Sequence, residues 1–382
     1  MSNPYLEKAK ALVGITARKW TLDHLIDIGG MAAVYKGTHR NGNQVAIKVL
    51  HKQYADMPEA KERFMREGYA ANKVQHPGAV TVLDDDELDD GTPFLVMELL
   101  EGWPLNARID HQGVLPPAEI LYVCDNLLDV LASAHDQEII HRDIKPANVF
   151  LTKLGQIKLL DFGLARVLDE ARQFALTRTG TVIGTTCYMS PEQARGKREL
   201  IDHRTDIFAV GALIFRAVSG NYLHSDAKTP MDQLLAAMSN HAPRLAEVAK
   251  DVHPEICVLA DRALAFQKAD RWPNARAMQS ALRQVYETVL GQPIPTPQAA
   301  MDRWAAAQQP AAPSGPSGVD DIHVSVCIEE PEGGDSILVE FEDDQGSKGK
   351  YKLRRKTDPT MPAIKPDELE EVSVFGLDDD DD

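Results

Sequence analysis

Two residues of opposite charge, Lys48 and Glu67, stand among apolar neighbours that share their faces. Lys48 lies in the segment QVAIKVL (44–50), and its neighbours two positions away are apolar, as in a strand whose alternate side chains point the same way. Glu67 has apolar residues three and four positions away, which is typical of the inner stripe of a helix. An unpaired buried charge costs several kcal/mol, so the pattern predicts an ion pair that presents an ammonium group to an anionic ligand. The alternative is that both charges lie on the surface.

The elements that carry these charges predict a small β-rich lobe followed by a larger helical lobe. Residues 21–50 alternate like paired strands, with turn-forming residues at 41–43. Pro58 begins a helical pattern that runs to about Lys73, and helical periods dominate from Leu115 onward.

Two motifs farther along the chain extend this pattern, namely HRDIKPAN (141–148) and DFG (161–163), which starts 13 residues after Asn148. In this combination the chain resembles the eukaryotic-type protein kinases of the bacterial Ser/Thr branch from about Trp20 to Leu290. Further matches follow in the family's order and spacing: AIK (46–48), Glu67 of the first long helix, GTTCYMSPEQ (184–193) and DHRTDIFAVG (202–211). The resemblance implies an α+β, bilobal kinase fold and the activity of a non-specific Ser/Thr protein kinase.

The resemblance also implies catalytic roles. Asp143 would accept and orient the substrate hydroxyl, and Lys145 would neutralise the γ-phosphate during transfer. Thr185 matches the threonine that hydrogen-bonds the catalytic aspartate in this branch. A lysine at position 145 is typical of Ser/Thr rather than tyrosine specificity.

ATP and a divalent cation are the implied cofactors. Lys48, held by Glu67, would contact the α- and β-phosphates of ATP. Asn148 and Asp161 would ligate Mg²⁺, with Mn²⁺ as the alternative, because these cations prefer oxygen ligands. Protein substrates are the second implied partner.

The nucleotide would lie under a glycine-rich loop and against the segment that joins the lobes. The residues assigned to this contact are Gly29, Gly30, Val34, Ala46, Lys48, Glu98 and Leu100. The loop departs from the family's GxGxxG pattern, since Asp27 and Ala32 replace two glycines. A carboxylate there would repel phosphate, so weaker nucleotide affinity is expected.

The segment after DFG predicts regulation. Thr177 and Thr179 are the phosphorylation candidates, and Arg142, directly before the catalytic aspartate, would bind a phosphothreonine. Autophosphorylation between two copies would need a homodimer. The resemblance further implies a buried ion pair between Glu192 and Arg271.

The sequence predicts four segments: an N-terminal extension (1–19), a kinase domain (20–290), a linker rich in Pro, Ala and Gln (291–319), and an acidic tail (320–382). The linker is expected to be extended and without a core. The tail contains 20 acidic and 7 basic residues. Its three alternating segments fit either a small β module or a disordered tail.

Composition excludes several classes of protein. A net charge of −17 argues against general nucleic-acid binding, which requires a basic surface. No apolar run approaches the roughly 18 residues of a membrane span, and the N-terminus lacks a secretory pattern. The four cysteines lie far apart with no CxxC motif. These features predict a cytoplasmic location.

Two other functions remain open alternatives. One is a nucleotide-binding pseudokinase scaffold, in which Asp27 and Ala32 reflect lost turnover. The other makes the acidic tail the functional module, with an unknown partner, and the kinase domain its carrier.

Overall fold

A computed structural model describes residues 5–162, 186–196 and 198–308, together with three short segments of the C-terminal extension. The chain divides into two units, residues 1–309 and 310–382. The first unit has a β-rich lobe followed by a helical lobe, as predicted from the sequence.

The β-rich lobe is built on a six-stranded antiparallel sheet in the order β1-β2-β3-β4-β6-β5. The strands are β1 (Thr16–Ala17), β2 (Trp20–Ile28), β3 (Ala32–His39), β4 (Gln44–Leu50), β5 (Val82–Glu87) and β6 (Pro93–Met97). A turn closed by the Gly42 N–H donating to His39 O joins β3 and β4, where the sequence predicts it.

The two faces of this sheet belong to different apolar clusters. The outer face forms a small separate core that includes Leu22, Tyr35, Ile47 and Phe94. The inner face contributes Leu95 to the main core, which continues into the helical lobe. Strand alternation explains the division, because successive residues of β4 and β6 point to opposite sides.

Three helices accompany the sheet: α1 (Leu6–Lys10), α2 (Lys52–Ala55) and α3 (Pro58–Lys73). Helix α3 has the predicted bounds and begins with a proline, whose fixed φ and missing N–H suit the first helical turn. Phe64, Glu67 and Ala71 form its buried stripe.

Helix α5 runs through the core of the helical lobe. The helices of the lobe are α4 (Leu105–Gln112), α5 (Pro117–Asp136), α6 (Pro191–Ala194), α7 (Arg204–Ser219), α8 (Pro230–Ser239), α9 (Leu245–Val248), α10 (Pro254–Ala263) and α11 (Ala275–Leu290). Helices α5 and α7 are apolar over most of their circumference and bury it against one another and against α11. Within the described part of the chain, no helix is both long and apolar enough to cross a membrane.

A second, smaller sheet has three strands. Its strands are β7 (Gly102–Pro104), β8 (Val149–Thr152) and β9 (Ile157–Leu159), in the order β7-β8-β9. A 3-10 turn over Pro146–Asn148 leads directly into β8. The end of the HRDIKPAN motif (141–148) and the strand before DFG are thereby held next to each other.

The prediction of an extended linker is wrong for residues 297–308, which form helix α12 (Pro297–Gln308). Ala300 is only 2% exposed and belongs to the main core. The helix packs on the turn between β8 and β9 at Gly155, where φ is +77° and an added Cβ would lie 2.4 Å from Pro297 O. The sequence argument failed because alanines at helical spacing can bury a small face without branched aliphatics.

The second unit contains a three-stranded antiparallel sheet in the order β10-β11-β12. Its strands are β10 (Ile328–Glu329), β11 (Ser336–Glu342) and β12 (Lys348–Arg354). The register sets Glu340 opposite Lys350 and Glu342 opposite Lys348. These strands match the β alternative for the tail.

Candidate active site

Strand register brings three of the residues predicted to contact the nucleotide, Val34, Ala46 and Lys48, to the inner face of the sheet. Val34 lies opposite Lys48, and Ala46 lies opposite Met97. Directly opposed residues of antiparallel strands share a face, so these four side chains line the same side. Val34 is half-buried, whereas Ala46 and Lys48 are buried.

Lys48 contacts the DFG motif across the cleft. Its Nζ donates to Asp161 Oδ1 at 2.5 Å. Burial alone would lower the pKa of Lys48, but Asp161, Glu67 and Asp143 together raise it above its ordinary value. Burial opposes ionisation of Asp161 as well, yet Lys48, Lys145 and His141 keep the pKa of that carboxyl below its usual range. The pair is therefore ionised.

The predicted ion pair between Lys48 and Glu67 is not formed. Glu67 is 8% exposed, and its Oε2 has no hydrogen-bond partner among the described residues. Burial raises the pKa of Glu67 to about 8, and the attraction of Lys48 only partly opposes this. The prediction failed because Lys48 has a second carboxylate within reach, that of Asp161, which the helix and strand patterns could not place.

A small cavity of about 20 Å³ lies between these groups. Lys48, Glu67, Asp161 and Phe162 are among its lining residues. The gap separates the carboxylate of α3 from the ammonium of β4.

The catalytic loop brings three predicted residues together. Lys145 Nζ donates to Asp143 Oδ2 at 2.8 Å. Asn148 Nδ2 donates to Asp143 O at 2.8 Å and to Asp143 Oδ2 at 3.0 Å. Because the amide nitrogen of Asn148 serves Asp143, its amide oxygen remains the acceptor that could ligate a cation. Asp143 and Asn148 are both buried.

Asp206, at the start of α7, anchors the backbone of this loop. Its Oδ2 accepts from His141 N at 2.9 Å and from His135 Nε2 at 2.9 Å, and its Oδ1 accepts from Arg142 N at 2.7 Å. Burial would raise the pKa of Asp206, but the hydrogen bonds and the two histidines bring it below its ordinary value. Gln193 also donates to Arg142 O at 2.7 Å.

The backbone is unusual at the two ends of the site. Arg142 has φ +65° and Asp161 has φ +57°, a region that residues with a Cβ rarely adopt. Such conformations persist where surrounding contacts enforce them. Here the Asp206 carboxylate holds Arg142, and His141 Nε2 donates to Leu160 O at 2.8 Å directly before Asp161.

The glycine-rich loop closes on itself at Gly29, whose N–H donates to Ala32 O at 2.9 Å. A Cβ at Gly30 would meet no atom within 4 Å among the described residues. Asp27 is exposed at the end of β2, and its Oδ1 accepts from Ile28 N at 2.8 Å.

The segment between the lobes is fixed by Glu98. Its N–H donates to Thr81 O at 3.0 Å, and its Oε1 accepts from Thr81 N at 2.8 Å and from Lys158 Nζ at 2.6 Å. The Glu98 side chain is thus engaged within the protein, and Leu100 follows it as a half-buried residue. The contact of Glu98 and Leu100 with the nucleotide stays a prediction.

The buried ion pair between Glu192 and Arg271 is confirmed. Arg271 donates to both carboxylate oxygens of Glu192, at 2.7 and 2.9 Å. Hydrogen bonds from Arg271 and Thr205 hold the pKa of Glu192 below its usual range despite burial, which acts in the opposite direction. The pair ties α6 to the chain before α11.

Three predicted residues lie outside the described part of the chain: Thr177, Thr179 and Thr185. Their assigned roles stay predictions. Two residues with evident positions in the site were not assigned any role from the sequence, His141 and Lys158. Lys158 could have been found, because a lysine in the apolar strand QIKLL calls for a buried partner.

The bilobal fold, together with carboxylates, lysines and an amide converging from both lobes, defines the class of protein kinases. The protein kinase domain family matches residues 20–286. The chain is 35% identical over 276 residues to the probable serine/threonine-protein kinase PknB of Corynebacterium glutamicum, covering 70% of this chain and 42% of that protein. It is 35% identical over 262 residues to the serine/threonine-protein kinase PknL of Mycobacterium tuberculosis, covering 68% and 63%.

A solved structure agrees with this assignment. The crystal structure of the PknI kinase domain of Mycobacterium tuberculosis superimposes with a TM-score of 0.54 at 26% identity, covering 71% of this chain and 97% of that domain. The chain therefore belongs to the protein kinase family, in the bacterial branch of the eukaryotic-type Ser/Thr kinases, and its domain is a Ser/Thr protein kinase domain. It spans less than half the length of the PknB relative.

Proposed function

We propose that the protein transfers the γ-phosphate of ATP to serine and threonine hydroxyls of other proteins. The observation that supports this most directly is the convergence of Lys48 on Asp161 and of Lys145 and Asn148 on Asp143. Phosphoryl transfer needs positioned cations and oxygen ligands more than covalent chemistry. Each of these groups is of the type that the reaction requires.

Asp143 orients the incoming hydroxyl and accepts its proton. Lys145, 2.8 Å from the same carboxylate, is placed to follow the γ-phosphate as negative charge develops on it. Thr185 is proposed to hydrogen-bond Asp143 and so restrict its rotamer. The ammonium group of Lys48 binds the α- and β-phosphates and keeps its contact with the carboxylate of Asp161.

Protein kinases use ATP and divalent metal generally, and we propose Mg²⁺ here, with Mn²⁺ as the alternative. The Asp161 carboxylate and the Asn148 amide oxygen fit a cation that keeps water and substrate phosphates as its other ligands. When bound, the metal would neutralise charge on the β- and γ-phosphates. The glycine-rich loop at Gly29 and Gly30 would cover those phosphates, while Val34 and Ala46 would pack on adenine.

The pseudokinase alternative has no observation in its favour. A scaffold that had lost turnover would be expected to lack one of these groups, but all four are present. Lys48 contacts Asp161, and Asn148 contacts Asp143. Asp27, which stands in place of a glycine of the family pattern, is exposed at the end of β2. It affects nucleotide affinity rather than the reacting groups.

The test is phosphate transfer from radiolabelled ATP to a generic protein acceptor. Asp143→Asn should lower the rate at least about 100-fold, because it removes the base, and should leave Mg-ATP binding close to the parent's. Asp136→Asn is a matched control, since Asp136 is an exposed carboxylate at the end of α5 paired with Arg276. Equal rates in the parent and Asp143→Asn would reject the assignment.

We also propose activation by phosphorylation of Thr177 or Thr179, carried out between two copies of the chain. Arg142 would bind the phosphate, since a guanidinium and a phosphothreonine form paired charged hydrogen bonds. Active protein mixed with a tagged Asp143→Asn variant should phosphorylate the variant at these threonines. If the double alanine variant Thr177→Ala, Thr179→Ala keeps the parent rate, the activation proposal fails.

The domain division and the tail remain proposals as well. We propose that the kinase domain spans 20–290 and that the acidic tail, 320–382, recruits a basic partner or docks on the kinase surface by charge. Removing the tail should change peptide phosphorylation at low salt, and the difference should shrink as salt rises. If the truncated and full-length proteins have identical rates across the salt range, docking on the kinase surface is rejected. Recruitment of an unknown partner then stays as the role of the tail. We also propose a cytoplasmic location, because the four cysteines lie far apart in the sequence with no CxxC motif.

A further inference from the structure

The N-terminal segment, residues 5–17, precedes the part of the chain that the kinase family matches, yet it packs on the β-rich lobe. Ala9 is 3% exposed within the small outer core. Tyr35 Oη donates to Ala9 O at 2.9 Å, and burial raises the pKa of this tyrosine to about 12. Strand β1 pairs with β2 at Thr16–Thr21 and Ala17–Trp20. The segment is thus a built part of the lobe rather than an extension beside it.

His51 links this segment to the glycine-rich loop. It follows the last residue of β4, three positions after Lys48. Its backbone N–H donates to Met31 O at 2.8 Å, and its ring Nε2 lies 2.9 Å from Gly29 O. A carbonyl oxygen can only accept, so Nε2 carries the hydrogen. One residue therefore holds the loop at two carbonyls that lie two positions apart.

Tyr5 covers one face of the His51 ring. Its ring stacks on the His51 ring with centroids 4.6 Å apart and planes 18° apart. Gln53 Nε2 donates to Tyr5 Oη at 3.0 Å, which fixes the orientation of the tyrosine. Burial and the nearby Lys8 lower the pKa of His51, against the effect of the Gly29 hydrogen bond. The stack therefore connects the N-terminal segment, through His51, to the glycine-rich loop.

The packing beneath the segment is looser than a protein core. A cavity of about 110 Å³ lies between α1 and the sheet, with Lys8, Leu12, His51 and Asp90 among its lining residues. Atoms that line a cavity lose dispersion contacts on that side. The segment is therefore held mainly by its few specific contacts, and loss of one of them should be felt at the loop.

We propose that His51 is a positioning residue for the glycine-rich loop, and that the N-terminal segment acts on nucleotide affinity through the stack of Tyr5 on His51. The inference depends on the proposed ATP site, since the loop is taken to cover the phosphates. Holding Gly29 and Met31 before ATP arrives lowers the ordering cost of binding. The segment would then be a regulatory element that the family match does not include.

The first experiment compares two substitutions of His51 in the full chain. His51→Phe keeps a ring for Tyr5 to stack on but loses the donor, and His51→Gln keeps an N–H donor of similar reach. The KM for ATP should rise about three- to ten-fold in the phenylalanine variant, as expected for one lost neutral hydrogen bond, with kcat little changed. The glutamine variant should recover most of the loss. A parental KM in His51→Phe, or no recovery in His51→Gln, would overturn the role of the hydrogen bond.

The second experiment tests the coupling to the N-terminal segment. Tyr5→Ala should raise the KM for ATP in the same direction and should add little in a His51→Phe background, because the two residues act through one contact. Tyr69→Ala is the control, since Tyr69 is an exposed tyrosine on α3 of the same lobe. Additive effects of the Tyr5 and His51 changes would refute the coupling.

Calorimetric titration with ATP separates this inference from the proposed function. Binding is measured on folded protein, so a variant with a lower melting temperature is still informative. If the parent binds ATP but transfers no phosphate, the proposed activity fails while the loop can still be tested by affinity. If the parent transfers phosphate and all variants bind ATP equally, the activity stands and the role of His51 is rejected.

Discussion

Replacing Asp206 with asparagine should weaken both the fold and catalysis. The carboxylate receives three hydrogen bonds, two at Oδ2 and one at Oδ1. Asparagine has one acceptor oxygen, so its NH₂ group must face at least one donor. In the better orientation the bonds from His135 and His141 N remain, and the bond from Arg142 N is lost.

The magnitude follows from that count. A hydrogen bond to a charged group contributes about 1.5–3 kcal/mol, and the two remaining bonds weaken when the charge disappears. The free energy of unfolding should therefore fall by about 3 kcal/mol. Because Arg142 directly precedes Asp143 and is held at φ +65°, its release displaces the catalytic carboxylate. A displacement of about 1 Å corresponds to roughly a 100-fold loss of rate.

Urea denaturation and steady-state phosphate transfer measure the two effects separately. Asp202→Asn is the matched control, because Asp202 binds Arg204 and Lys268 in the same region without touching the catalytic loop. It should lower stability and leave kcat near the parent's. The reasoning would be refuted if Asp206→Asn lost no more rate than the control, or if both parameters stayed at their parental values.

Three further substitutions test other parts of the structure. In the parent, burial raises the pKa of Glu67 from its ordinary value of 4.5 to about 8. Between these two pH values the folded state holds a proton that the unfolded state has released. The contribution of Glu67 to the free energy of unfolding is therefore lost as the pH rises through this range. Glu67→Gln should flatten that slope in chemical denaturation at several pH values; an unchanged slope would contradict it. Glu192→Ala should lower the unfolding free energy by about 3–5 kcal/mol, because Arg271 is left buried and uncompensated; a loss below about 1 kcal/mol by the same method would show the pair to be dispensable. Asp27→Gly should tighten ATP binding several-fold in calorimetry, since a carboxylate near phosphate is removed; equal or weaker binding would mean that Asp27 points away.

The sequence predicts the lobes, helix α3 and the groups in the cleft because their signals are local. Strand alternation placed Ala46 and Lys48 on one face, and proline marked the start of α3. The partner of Lys48 could not be predicted in the same way. That choice depends on the distance between α3 and β4 and on the position of Asp161, 113 residues away in sequence, which local periodicity does not encode.

The prediction of an extended linker failed at helix α12 for a related reason. Its alanines and prolines resemble a linker in composition, and only the surface supplied by the turn at Gly155 gives Ala300 a place to bury. The residues around His51 were missed because a histidine at the end of a strand carries no periodic signal. Their arrangement is evident only when the N-terminal segment is seen against the sheet.

Gly155 is restricted twice, by its positive φ and by the backbone of α12 above it. Asparagine or aspartate could satisfy the first restriction, because both tolerate left-handed backbone. Neither satisfies the second, since any Cβ would displace Pro297. Natural variation at the two places should therefore be correlated: related chains that keep a helix at 297–308 should keep glycine at 155, whereas chains without the helix should be free to vary at this turn. Glycine at position 155 should therefore indicate that a related kinase domain has the helix that follows it at 297–308.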